Sequence, residues 1–173
     1  LIIAPTWSQR EIIELAQRLS LDYKTIMTHS YSGYDQGIGG YMFVSPEIVR
    51  NTADERIKDN YDVIILGKID WKILPSNIRL EILRKVYNGS GLLYISPPKD
   101  NPEVIKLLSG KKYPTDNFLP GVNITNWPAF KGQDKDSIVK MSKFGKGIVG
   151  VLDFPEKEKS AYQSLTPSAG GYN

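Results

Sequence analysis

The feature that most constrains this chain is the alternation of short apolar runs with amphipathic stretches of helical period. LIIAP (1–5), YKTIMTH (23–29), YDVIILG (61–67) and GLLYIS (91–96) each read as a strand. YDVIILG is the plainest, an unbroken apolar run suited to burial on both faces of a sheet. Between the runs lie helix signals. Ser8 with Glu11 three residues on forms a capping box, and Ile12, Leu15, Ala16 and Leu19 space out a buried stripe. Ser45-Pro46-Glu47 sets proline at a first helical position and opens a helix to about Lys58. A third helix starts at Ser76, turns Ile78, Ile82, Leu83 and Val86 inward, and stops at Gly89. Asn101-Pro102-Glu103 opens a short fourth that closes at Gly110. Strands joined by helices in this way need right-handed crossovers and a parallel sheet. The expected fold is an open, mostly parallel, flavodoxin-like three-layer α/β sandwich.

Beyond Gly110 the pattern loosens into YPTDNFLPGVNITNWPAF, and a last apolar run, GIVGVLDF (147–154), returns as a strand at or near a sheet edge. Residues 156–173 form a polar tail. Neither an internal repeat nor a boundary interrupts the chain, so residues 1–173 read as a single domain. It opens inside a strand without methionine, as expected of a piece of a longer protein. Net charge is +3, from 22 Lys+Arg against 19 Asp+Glu with no basic block, which argues against a nucleic-acid partner. The absence of cysteine excludes disulfides, thiolate metal sites and cysteine nucleophiles. No apolar run reaches membrane-spanning length.

Ser96 holds the most enzyme-like position, a serine where a strand meets a sharp turn. A nucleophile there needs an exposed hydroxyl, a base and an oxyanion hole. The usual oxyanion donor is the next backbone N–H, but the next residue is Pro97, and Pro98 removes a second donor. Tyr94 and Pro98 stand where an elbow carries glycines, and the sole base is the only histidine, His29. Catalysis at Ser96 is therefore not expected. GKGIVG (145–150) matches the dinucleotide fingerprint in letters only, since its glycines enter a β-branched run instead of opening a helix. It reads as a turn, Phe144 to Gly147, feeding a strand. No cofactor is expected.

In open α/β sheets ligands sit beyond the carboxyl ends of the strands. That rim would gather Trp7, His29, Tyr31, Tyr34, Asp70, Trp71 and Ser96, several from the long glycine-bearing loop THSYSGYDQGIGGY (28–41). Aromatic rings beside Asp and His suit a sugar, and equally a protein interface. The plainer alternative is that Trp7 and Trp71 cap the core edge. Asp35, Asp70, Asp100 and His29 have no ligand spacing, so no metal is assigned.

At YDVIILGKIDWKILPSNIRLEILRKVYNGSGLLYISPP (61–98), and again at KFGKGIVGVLDF, the sequence resembles the class I glutamine amidotransferase-like superfamily. It is most similar to the non-amidotransferase branches, the β-galactosidase trimerisation-type and ThuA-like domains. The resemblance implies a flavodoxin-like sandwich attached to larger bacterial proteins of carbohydrate metabolism, packed against a catalytic barrel or another subunit. It puts the family's nucleophilic cysteine at Ser96 and its histidine late in the chain, where none occurs. Glutaminase activity is not carried over. The expectation is a non-catalytic accessory domain for assembly or ligand contacts, with an adjacent domain or subunit as partner and a carbohydrate as candidate ligand. A periplasmic or secreted location is favoured over a cytoplasmic one. The alternatives are a sugar-modifying or hydrolytic enzyme using His29 with Asp70 or Ser96, and a small-molecule sensor.

Overall fold

The computed structural model describes residues 1–28, 46–97, 102–113 and 138–153. Six strands form one sheet: β1 (Ile2–Pro5), β2 (Thr25–Thr28), β3 (Val63–Leu66), β4 (Gly91–Ile95), β5 (Val139–Phe144) and β6 (Gly147–Leu152). Their order is β2-β1-β3-β4-β6-β5. All neighbours are parallel except β5 and β6, which form an antiparallel hairpin. Among the described residues, four α-helices join them: α1 (Gln9–Leu19), α2 (Pro46–Arg56), α3 (Ser76–Asn88) and α4 (Pro102–Leu108). This is the mostly parallel three-layer α/β sandwich expected from the alternating runs.

The direction of each crossover decides the layers. The chain moves one way from β1 to β2 and the other way from β2 through β3 to β4, so right-handed connections put α1 on one face and α2 and α3 on the other. The main core follows: Ile3, Ile64, Leu66, Leu92, Tyr94, Val149 and Val151 meet Ile57, Ile78, Ile82 and Val86. The opposite face holds a small core of Ile2, Ala4 and Ile12, with Met27 and Ile65 against it. Burying the Ile82 side chain contributes about 1.5–3 kcal/mol.

Several expectations change in detail. Ser8 makes no side-chain cap bond, because Thr6–Ser8 already curl into a 3-10 turn and Ser8 (φ −85°, ψ 11°) lacks the extended backbone of a cap. Only Ile12 and Ala16 of the α1 stripe are buried; Leu19 is exposed, since the core beneath α1 is one helical repeat long. β3 is not buried on both faces: Ile64 and Leu66 are sealed, while Val63 is 47% exposed on the thinly covered side. β6 is one strand in from the edge and paired on both sides. The edge is β5, whose polar residues Lys140, Ser142 and Lys143 hid it in the sequence. Segment 111–113 backs β5, with Tyr113 N–H donating to the Met141 carbonyl (2.9 Å). Residues 145–150 are the turn and strand anticipated, with Gly145 at φ 61°. A side chain there would meet the Tyr87 carbonyl at 2.5 Å.

A polar network closes the amino end. The buried Lys85 ammonium donates to the carbonyls of Asp59 (2.7 Å) and Lys58 (3.3 Å) and lies 3.5 Å from Glu81. The Tyr61 hydroxyl donates to the Arg56 carbonyl (2.6 Å). Burial, with the Asp59 carboxylate nearby, pushes the Tyr61 phenol up to about 12. A phenol raised above its unfolded value of about 10 adds stability that is complete below pH 10 and lost as pH climbs through the folded value. Urea midpoints should therefore fall between about pH 10 and 12, less steeply in Tyr61→Phe. Equal slopes in the two proteins would contradict this.

Candidate functional site

The order β2-β1-β3 creates a topological switch point between the carboxyl ends of β1 and β3, where open α/β sheets take ligands. Backbone contact builds it. Gly67 N–H donates to the Ile3 carbonyl (2.7 Å), and a Cβ at Gly67 would stand 2.8 Å from Ala4 Cβ. Only glycine lets β3 leave the sheet this close to β1. Past Pro5 the 3-10 turn lifts Trp7 onto the rim, where it is 48% exposed.

From Gly67 the chain turns sharply, Ile69 N–H reaching back to the Gly67 carbonyl (2.8 Å). Tyr94 of β4 holds this loop from below. Its hydroxyl donates to the Ile69 carbonyl (2.5 Å) and accepts the Trp71 N–H (3.1 Å). Burial raises the Tyr94 phenol well above its ordinary range, so it remains a donor at any physiological pH. The Asp70 carboxylate accepts the Lys72 N–H (2.9 Å) and caps a 3-10 turn over Trp71–Ile73. That turn swings Trp71 inward. Its indole is 1% exposed, tilted 38° to the Tyr94 ring at 6.5 Å, so Trp71 is a core residue and offers no rim surface.

Ser96 follows β4. Its N–H donates to the Leu152 carbonyl of β6 (2.7 Å), it is 7% exposed, and its φ is 45°. A serine in the left-handed region marks a tight bend, as an elbow has. The groups an elbow serves are nevertheless engaged or missing: the Ser96 N–H is spent on β6, and Pro97 has none to give. Asp153 adjoins Ser96 at the end of β6, half-buried, its N–H donating to the Ile138 carbonyl (2.9 Å).

Trp7, Asp70 and Ser96 thus lie at the carboxyl ends of the adjacent strands β1, β3 and β4. Trp71 goes to the core. His29, Tyr31, Tyr34, Asp35 and Asp100 fall outside the described residues. The sequence reading missed Tyr94 and Asp153. The signal for Tyr94 was present, a phenol at an inward position whose hydroxyl must find a partner. Asp153 gave no signal until the pairing of β6 with β4 was known.

Comparison with protein-family models, with curated proteins and with solved structures finds no match for this chain. The chain is an α/β sandwich with a switch-point rim. Among the described residues, no helix is long and apolar enough to cross a membrane.

Proposed function

We propose that this chain is a non-catalytic, amidotransferase-like accessory domain. It serves assembly or ligand contacts within a larger, carbohydrate-active protein, and the switch-point rim is its binding face. One observation carries the reading: the serine at the nucleophile position is buried, its N–H is consumed by Leu152, and proline follows it. The exposed Trp7 beside Gly67 supplies the ligand-facing surface.

The test is ligand-induced stabilisation, because a ligand that binds only the native state raises its apparent stability. A panel of saccharides should raise the melting temperature, and Trp7→Ala should abolish the rise. Saturable turnover of any glycoside, ester or amide by the isolated domain would overturn the non-catalytic reading.

The left-handed backbone of Ser96 favours one alternative, a hydrolase using Ser96 or Asp70 with His29. The two readings part at Ser96→Gly. Left-handed backbone costs a side chain about 1–2 kcal/mol, and the freedom of glycine returns about 0.5–1. In the accessory reading Ser96→Gly should raise stability by about 0.5–1 kcal/mol in urea titrations. In the hydrolase reading, Ser96→Gly and His29→Ala would each remove an activity measurable in the parent protein.

A further inference from the structure

A cavity of about 600 Å³ opens at the end of the sheet away from the rim, where β2 begins beside the last turn of α2. Volumes of this order hold small ligands. Tyr23, Lys24 and Thr25 line the strand side; Glu55, Arg56 and the following turn at Asp59 line the helix side.

The chemistry of this wall selects against most ligand classes. Its two cations and two carboxylates cancel, so neither an anion nor a cation gains from the net field. Each cation is also committed: Lys24 Nζ donates to Asp59 at 2.5 Å, and the Arg56 guanidinium donates to the Thr25 carbonyl. A charged ligand would have to compete with these bonds. What the wall offers is neutral hydrogen bonding. Arg56 and Lys24 carry more N–H donors than these bonds use, and the Glu55 carboxylate and Thr25 belong to the same lining. Tyr23 is 38% exposed and adds an aromatic face. Donors and acceptors in one wall beside such a ring suit the paired hydroxyls and C–H face of a pyranose.

The wall is also pre-ordered. The Tyr61 hydroxyl holds the Arg56 carbonyl (2.6 Å), and the Lys85 ammonium holds those of Asp59 and Lys58 from behind. Ordering cost on binding is correspondingly small. The geometry points to a binding site for a short neutral saccharide between β2 and α2. This site is separate from the carboxyl rim and independent of the reading given for it.

Amide shifts of the isotope-labelled chain, titrated with glucose, galactose, maltose and cellobiose, test this directly. Glucuronate, glucosamine and a mixed-charge peptide serve as comparators. At least one neutral sugar should give saturable shifts confined to residues 23–25 and 52–59. Tyr23→Ala, an exposed site whose loss should leave the urea midpoint unchanged, should weaken that binding about tenfold. The proposal is overturned by no saturable shift with any neutral sugar, by tighter binding of a charged comparator or the peptide, or by binding that survives Tyr23→Ala undiminished. Shifts confined to residues 6–7 and 67–70 would also overturn it, while supporting the rim.

Discussion

Trp71→Ala is expected to cost about 3–5 kcal/mol, the range for removing a large aromatic side chain from a packed core. Against a total stability of about 5–15 kcal/mol, that is a large fraction of what holds the domain folded. The expectation rests on the 1% exposure of the indole and its contact with the Tyr94 ring. It also separates two roles, since a tryptophan placed on the rim to stack on a ligand could be truncated with little effect on stability. Urea denaturation decides between them. A loss below about 1 kcal/mol would return Trp71 to the surface and to the list of ligand contacts.

Tyr94→Phe is expected to cost about 1–3 kcal/mol while keeping the ring. Removing the hydroxyl strands two buried backbone groups, the Trp71 N–H and the Ile69 carbonyl. The damage should be local as well as global. Amide hydrogen exchange at residues 69–74 should accelerate by more than that of α3, because the loop loses its tie to β4 while the helix keeps Ile78, Ile82 and Val86 in the core. Uniform acceleration across the domain would mean that Tyr94 contributes only packing.

These two residues show where the sequence was informative. The five parallel strands, β1 to β4 and β6, were legible because each is a short apolar run, and sealed strand residues cannot be polar without partners. α3 was legible almost residue by residue, down to Gly89, whose φ of 135° ends it. β5 was not. Its buried residue at the centre is Ser142, made tolerable by a hydroxyl donating to the Leu107 carbonyl at 2.7 Å, a partner 35 residues away. The same limit applied at the rim. Adjacent letters, Asp70 and Trp71, go to opposite environments because a short 3-10 turn lies between them, and nothing in their composition announces that turn. Ser96 kept its place at the end of β4, but the use of its N–H depended on β6 arriving beside it, with the acceptor Leu152 lying 56 residues further along the chain (152 − 96).

The position of β6 bears on how the protein is made. Strands β1 to β4 are synthesised by residue 95, yet β4 then has an open flank: the backbone of residues 91–95 that later pairs with 148–152 has no β6 beside it. It stays open until the β5–β6 hairpin emerges some way down the chain. A nascent or truncated polypeptide ending before Val139 therefore displays a flat, apolar, unprotected edge, the kind on which chains join one another. The hairpin covers that edge, so the interval between synthesis of Ile95 and of Leu152 is when β4 is open to other chains.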